Sequence, residues 1–97
     1  MISEIQCLPT PSGTSVDRYA HVDAAIAEIQ ASGLDHEVGP LGTSVEGPPD
    51  QVWPLLRRVH EACLASGATG VVTVVKLAEG AGDAGPTIDD LTGKFRS

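Results

Sequence analysis

The chain has 97 residues and a formal net charge of −7 at pH 7, and 41% of its residues are hydrophobic while only 3% are aromatic. This length predicts one domain, whose modest buried surface favours association with other subunits. The excess of carboxylates argues against nucleic acid and anionic membranes as partners, because their phosphate groups are bound by lysine and arginine side chains. We expect a cytoplasmic protein, since neither a secretion signal nor a membrane-spanning run is visible.

The first part of the chain predicts a strand and a helix. Residues 2–8 alternate between an even-numbered face and an odd-numbered face, as a strand does. Residues 15–32 carry apolar side chains at helical spacing, and either Thr14 or Ser15 can act as the N-cap. Gly33 follows at the position where a helix usually ends on a left-handed residue.

The middle of the chain predicts two strands and a second helix. Residues 34–40 and 41–47 form the strands, joined by a short hairpin or a bulged bend among several glycines and a proline. The helix follows with Asp50 as its cap and Pro54 in its first turn, where the missing N–H does no harm. Gly67 is expected to end this helix.

The last part of the chain predicts a strand, a loop and a short terminal helix. Residues 71–77 are almost entirely apolar, which is typical of a strand that is covered on both faces. A loop rich in glycine and alanine follows at 79–85. Within residues 86–97, Thr87 is expected to start a helix with a shared apolar face made by Ile88, Leu91 and Phe95.

This order of elements predicts an α+β protein of ferredoxin-like βαββαβ topology, with two helices on one face of an antiparallel four-stranded sheet. Residues 1–78 form the ligand-binding domain, and the tail 79–97 packs on the same domain. The other face of the sheet is left bare, and we expect it to pack against another subunit in a dimer or tetramer. Four residues of the last strand are predicted to share this bare face: Val71, Thr73, Val75 and Leu77.

Motifs of catalysis are missing from the sequence. It has no glycine-rich nucleotide fingerprint, no phosphate-binding P-loop and no nucleophile elbow. Cys7 and Cys63 lack the spacing of zinc ligands and are expected to be buried free thiols. Of the three histidines, His36 is the best candidate for a base or ligand, whereas His21 and His60 are expected at solvated or rim positions.

Acylphosphatases share this length and topology, but they need an arginine in the loop after the first strand and an asparagine downstream. Here Arg18 is the first arginine and the chain contains no asparagine. We therefore expect neither an enzyme nor a cofactor or metal site.

Several stretches of the sequence, in order, resemble the thiamine-binding protein family, which was formerly a domain of unknown function and is related to YkoF. The most characteristic is Gly-Pro-Leu-Gly-Thr-Ser-Val-Glu-Gly at 39–47. The others are Glu-Ile-Gln-Cys-Leu-Pro at 4–9, Ser-Gly-Leu-Asp-His-Glu-Val at 32–38, and the run at 65–77 that ends in the last strand. Together they cover the chain to about residue 78.

The resemblance implies a ferredoxin-like homo-oligomer that binds thiamine or its pyrimidine part and catalyses no reaction. Thiamine carries a permanent positive charge, so a carboxylate in a partly desolvated pocket would attract it. Hydroxyls and amides can meet the donor and acceptors of its aminopyrimidine ring. The ligand-binding residues predicted on this basis are Gln6, Glu37, Thr43, Ser44, Glu46 and Thr73, with Glu37 and Glu46 in the acidic role.

Two other functions stay open at this point. An ACT-like regulatory module has the same topology and binds a small metabolite at subunit interfaces, acting on a partner protein. An enzyme that uses His36 with a neighbouring glutamate is the remaining alternative, although no motif supports it.

Overall fold

The structure is a computed structural model that describes residues 1–83 and 85–96. Its elements are β1 (Ile2–Thr10), α1 (Ala20–Ala31), β2 (Asp35–Val38), β3 (Thr43–Glu46), α2 (Pro49–Ala65), β4 (Gly70–Ala78) and α3 (Ile88–Thr92). The strands form one antiparallel sheet in the order β2-β3-β1-β4, which confirms the predicted fold. The predicted loop and terminal helix include Ala84 and Ser97, which lie outside the described residues. Within those residues, no helix is both long and apolar enough to cross a membrane.

The two faces of the sheet are identified by the strand register. Ile5 of β1 is opposite Thr43 of β3 and Val75 of β4, and Ile5 is only 3% exposed in the core beneath the helices. These residues therefore lie on the helix side. The opposite side, here called the open face, carries Ile2, Glu4, Gln6, Leu8, Asp35, Glu37, Ser44, Glu46, Val72, Val74 and Lys76.

The prediction of which β4 residues lie on the bare face is wrong: the residues on that face are shifted by one position along the strand. Val71, Thr73 and Val75 lie opposite the helix-side residues Pro9, Cys7 and Ile5. Thr73 Oγ1 is 2.6 Å from His60 Nδ1 of α2, which places it under the helices. An alternating pattern shows which residues share a face, but a strand that is apolar on both faces does not indicate which face the helices cover.

The first helix begins at Ala20, five residues later than position 15, where it was predicted. Thr14 does not cap it, because its Oγ1 accepts a hydrogen bond from Asp17 N at 3.0 Å and closes a separate turn. Such side-chain bonds compete with helix formation. Gly13 is needed beside this turn, since a Cβ there would lie 2.2 Å from the Asp17 carbonyl oxygen.

The second helix also starts differently from the prediction. Pro48 is its N-cap, and Asp50 lies within the first turn. Pro54 lies inside the helix beyond that turn, where it removes one backbone hydrogen bond on an exposed side. The predicted ends are confirmed, because Gly33 and Gly67 have φ angles of +74° and +123° after the two helices.

The core lies between the helices and the sheet. His21, which was predicted at a solvated or rim position, is buried, with Nδ1 2.7 Å from Ser66 Oγ. It joins the start of α1 to the end of α2. The buried apolar cluster consists of Ile5, Ala25, Ile29, Val45, Val52, Leu55, Leu56, Val59 and Cys63.

The terminal helix α3 begins at the predicted position and packs on the open face. Thr87 and Asp90 form a reciprocal capping box. Ile88 is buried next to β3, but Leu91 and Phe95 are 52% and 78% exposed. Of the predicted apolar face, Ile88 therefore packs on the body of the protein, while Leu91 and Phe95 stay exposed in the single chain.

Candidate ligand-binding site

A cavity of about 250 Å³ opens between α1 and the sheet, at the place where β1 extends beyond β3. Its helix wall is apolar and is formed by Val22, Ala25, Ile26 and Ile29. These residues have the i, i+3, i+4, i+7 spacing of one helical face. The apolar face of α1 therefore serves both the core and the cavity.

A tight loop at residues 39–42, between β2 and β3, forms a second wall of the cavity. Gly39 N donates to Gly42 O at 2.9 Å. A Cβ at Gly39 would lie 2.8 Å from that oxygen, and a Cβ at Gly42 would lie 3.3 Å from Ile5 O. Both glycines are needed because the backbone approaches itself and β1 so closely. Leu41 is 79% exposed at the tip of the loop.

The third wall is the backbone edge of β1. The β1–β3 pairing ends with Ile5 opposite Thr43, whereas β1 continues to Thr10. Gln6, Cys7 and Leu8 border the cavity in this stretch without a β3 residue beside them. Backbone N–H and C=O groups are obligatory hydrogen-bonding groups, so this edge offers donors and acceptors to a ligand.

Few polar side chains reach the cavity. Thr43 is buried at 5% exposure, and Tyr19 is 56% exposed at the mouth. Among the residues that the structure describes, neither a carboxylate nor a histidine lines the cavity. A mainly apolar cavity with a few directional polar groups is suited to a small heterocyclic group.

Of the six predicted ligand-binding residues, the structure brings two to this cavity. Gln6 and Thr43 both line it. Thr73 is also on the helix side but bonds to His60, and its Oγ1 donates to Cys7 Sγ at 3.7 Å. It lies outside the cavity lining, so its hydroxyl serves the contact between β4 and α2.

The other three predicted residues lie on the open face, away from the cavity. Ser44 is opposite Glu4 and Glu37 in the sheet. Glu46 Oε1 accepts from Ile88 N at 3.2 Å, and Glu37 Oε1 accepts from Arg96 Nε at 3.2 Å. The two carboxylates predicted to attract a ligand therefore hydrogen-bond to the terminal segment instead.

A second, polar cleft of about 340 Å³ lies under that segment. Arg96 bridges two carboxylates there, with Nη1 2.8 Å from Asp89 Oδ1 in addition to its bond with Glu37. The hydrogen bond with Glu37 raises the pKa of Arg96. His36 borders the same cleft, but residues 1–83 and 85–96 contain no group of three acidic, histidine or cysteine side chains able to hold a metal ion.

Of the two thiols, Cys63 is poorly suited to nucleophilic chemistry. Cys63 is completely buried, and burial, together with the neighbouring Cys7, raises the pKa of Cys63 to about 11. The thiolate is the reactive form of cysteine, so this side chain stays protonated at neutral pH. Cys7 is half-buried in the wall of the cavity.

The sequence interpretation missed Tyr19, Leu41 and the two glycines of the loop as site residues. Their signals were present, since Tyr19 is one of three aromatic residues and the glycines flank Pro40 and Leu41. Their role depends on how α1 crosses the sheet, which no local pattern specifies.

Comparison with known proteins agrees with the geometry. The model of a family described as thiamine-binding protein matches residues 3–95. A UPF0045 protein of Clostridium perfringens is 34% identical over 92 residues, which cover 95% of this chain and 93% of the relative.

Two solved structures share the fold over nearly their whole length. One, a domain of unknown function from Bacillus cereus, is 33% identical with a TM-score of 0.79, covering 98% of this chain and 90% of the other. The second, a Thermotoga maritima protein suggested to act in thiamine biosynthesis or salvage, is 25% identical with a TM-score of 0.81, covering 98% and 97%.

Proposed function

This chain belongs to the thiamine-binding protein family, and we propose that it binds thiamine, or the pyrimidine part of thiamine, without catalysing a reaction. The observation that carries the proposal is the apolar cavity of about 250 Å³ between α1 and the free edge of β1. Pockets for drug-sized ligands span about 300–1,000 Å³, so this cavity suits one heterocyclic ring with its substituents better than a large cofactor.

The ring is held by apolar walls and oriented by hydrogen bonds. Val22 and Ile26 provide the apolar contact on one side. The Thr43 hydroxyl and the free backbone of β1 at Gln6 provide donors and acceptors, which an aminopyrimidine matches with an amino group and ring nitrogens. Because Thr43 is buried, each hydrogen bond to it is shielded from water.

The charge of the ligand is accommodated outside the cavity. No carboxylate of residues 1–83 and 85–96 lines the cavity, so the positively charged thiazolium ring would lie toward the open mouth near Tyr19. A net charge of −7 gives the chain a field that attracts a cation during approach. In this arrangement Glu37 and Glu46 bond to the terminal segment rather than to the ligand.

Absence of catalysis is supported by the chemistry of the lining. General acid–base catalysis needs a side chain that exchanges protons near neutral pH, within hydrogen-bond reach of the ligand. Among the described residues, the cavity offers a hydroxyl, a phenol and a half-buried thiol, but no histidine or carboxylate, the commonest acid–base groups. These groups suit recognition and retention of a ligand.

We also include in the proposal a homo-oligomer, a dimer or a tetramer, packed through the open faces of the sheets. Leu8, Val72 and Val74 are 48%, 64% and 46% exposed there. Exposed apolar patches on a sheet favour association. The terminal helix α3 covers the β3 side of the same face and would limit how far two sheets overlap.

The proposal is tested by calorimetric titration of thiamine, thiamine phosphates and the free pyrimidine into ligand-free protein. Val22→Phe fills the cavity and should abolish binding. Val16→Phe makes the same substitution at a site that is 95% exposed and should leave the affinity unchanged. Thr43→Val removes one buried hydroxyl and should weaken binding roughly 3- to 10-fold, the effect of about 1 kcal/mol.

Two results would contradict the proposal. Binding that survives Val22→Phe and is lost in Glu37→Gln would move the site to the open face. No binding of any of these compounds to folded, ligand-free protein would reject the function and leave the fold unaffected.

A further inference from the structure

The two cysteines of the chain are neighbours in the fold, although they lie far apart in the sequence. Cys7 is in β1 and Cys63 is in α2, and the Cys7 side chain packs against the apolar cluster that contains Cys63. Burial is the main cause of the raised pKa of Cys63, and the charge of Cys7 and a hydrogen bond between the two thiols contribute further. Because a hydrogen bond acts only over a short distance, the two sulfur atoms are adjacent.

The two thiols differ in what can reach them. Cys63 is completely buried, whereas Cys7 is half-buried and lines the cavity between α1 and the sheet. A water molecule takes about 30 Å³ of liquid volume. The cavity of about 250 Å³ therefore has room for a molecule as small as hydrogen peroxide. Since the oxidation of cysteine follows its exposure, Cys7 is the thiol that meets an oxidant first.

The Cys7 sulfur also has a hydrogen-bond donor beside it. Thr73 Oγ1 donates to Cys7 Sγ at 3.7 Å, and His60 Nδ1 is 2.6 Å from the same hydroxyl oxygen. The hydroxyl has a single hydrogen, so when Thr73 donates to the sulfur, His60 Nδ1 is the donor to Thr73. Cys7 therefore differs from the inert structural cysteines that lie in wholly apolar surroundings.

We propose that Cys7 and Cys63 are an oxidation-sensitive pair, in which a small hydroperoxide that enters the cavity oxidises Cys7 and Cys63 then closes a disulfide between β1 and α2. The order follows from exposure, because Cys7 meets the oxidant and Cys63 meets only its neighbours in the core. The chain has no other cysteine. Because Cys63 is buried, its partner is Cys7 of the same chain rather than a thiol of another molecule.

The reaction balances with the peroxide as the oxidant. Cys7 loses its proton to solvent, its sulfur attacks one oxygen of hydrogen peroxide, the O–O bond breaks, and the released hydroxide takes up a proton to become water. The product is a sulfenic acid at Cys7. The Cys63 sulfur then attacks the Cys7 sulfur, an S–S bond forms, the S–O bond breaks, and the hydroxide leaves with the Cys63 proton as water. The two thiols lose two electrons, and the peroxide gains them.

The pair is tested by exposing the reduced protein to hydrogen peroxide, unfolding it in the presence of N-ethylmaleimide and measuring its intact mass. The wild type should lose the mass of two hydrogen atoms and take up no maleimide, and dithiothreitol should restore two reactive thiols. Two free thiols after exposure, a disulfide between two chains, or Cys7 oxidised beyond the sulfenic acid while Cys63 stays free would each overturn the proposal.

Single-cysteine variants separate the two roles. In Cys63→Ala the sulfenic acid at Cys7 has no thiol partner, so dimedone should label this position. In Cys7→Ala the remaining Cys63 should stay a free thiol under the same exposure, since it is completely buried. Dimedone labelling of Cys63 in Cys7→Ala, or the absence of labelling in a folded Cys63→Ala variant, would contradict the order of the two steps.

The route of the oxidant is tested with the variant that fills the cavity. Val22→Phe should slow the loss of the two thiols several-fold, whereas Val16→Phe, the same substitution at an exposed site, should leave the rate unchanged. Neither measurement contains thiamine, so the outcome is independent of the proposed function. An unchanged rate in folded Val22→Phe would overturn the cavity as the route to Cys7.

Discussion

Ser3 shows how a single residue can depart from the pattern around it. Its side chain is completely buried on the helix side of β1, opposite Val45 and Leu77. Within the described residues its hydroxyl has no hydrogen-bond partner. An unpaired buried hydroxyl loses its bonds to water on folding and gains nothing in exchange.

Replacing this residue by alanine should therefore stabilise the protein. We expect Ser3→Ala to raise the free energy of unfolding by about 1 kcal/mol, measured by urea denaturation. Ser12→Ala is the matched control, because Ser12 Oγ donates to the Arg18 carbonyl at 2.9 Å and its loss should bring no gain. A lower stability of Ser3→Ala would mean that the hydroxyl is bonded in solution.

At the same scale, the sequence indicated polar residues on the strands but not which of them share a cavity. Gln6 and Thr43 line the cavity, while Glu37 and Glu46 hold the terminal segment. All four are polar residues on strands, and the sequence alone does not indicate which of them line the cavity. The face of the sheet does not separate them by itself, because Gln6 occupies an open-face position like Glu37 and Glu46. What separates them is the neighbour that each residue meets.

At the scale of the element, α3 depends on its cap, because it has only five residues. Thr87 Oγ1 accepts from Asp90 N at 3.0 Å, and Asp90 Oδ2 accepts from Thr87 N at 3.0 Å. The hydrogen bond from the Thr87 backbone N–H, followed by the contribution of the Thr87 side chain, lowers the pKa of the Asp90 carboxyl. A carboxyl with a lowered pKa in the folded state contributes stability above its unfolded pKa, and the contribution is lost as the pH falls through the folded value.

We therefore expect amide protection of α3 in hydrogen exchange to fall as the pH drops below about 4, the ordinary pKa of an aspartate. Thr87→Ala should lower the protection at neutral pH, whereas Asp90→Asn removes the titrating carboxyl and should remove most of this pH dependence. Thr87→Ser keeps the hydroxyl and should behave like the wild type. Equal protection in the alanine and serine variants would show that the cap is not what holds the helix.

At the scale of the whole molecule, the terminal segment and the cavity lie on opposite sides of the sheet. Arg96 holds the segment through Glu37 and Asp89 on the open side. The cavity lies under α1 on the helix side. The proposed ligand site and the tether are therefore expected to act independently.

Arg96→Ala should increase hydrogen exchange within residues 86–96 and leave the affinity for thiamine within about twofold of the wild type. Both effects are measured on one preparation, by mass spectrometry and by calorimetry. Lys94→Ala is the control. Within the described residues Lys94 forms no salt bridge, and its Nζ lies 5.1 Å from the centroid of the Phe95 ring. A large loss of affinity for thiamine in Arg96→Ala would show that the two sides of the sheet are coupled.

The sequence by itself determined the order of the elements, the glycines that end α1 and α2, and the alternation along β1. These features come from interactions between residues near each other in the chain, such as helical spacing, capping and the two-residue repeat of a strand. The capping box at Thr87 was predictable for the same reason.

Only the tertiary structure decided which face of β4 the helices cover and which polar residues share a cavity. Both depend on contacts between separate elements of the chain: Thr73 with His60, and the 39–42 loop with β1. A strand that is apolar on both faces satisfies either orientation locally, and the packing of the whole sheet selects one of them.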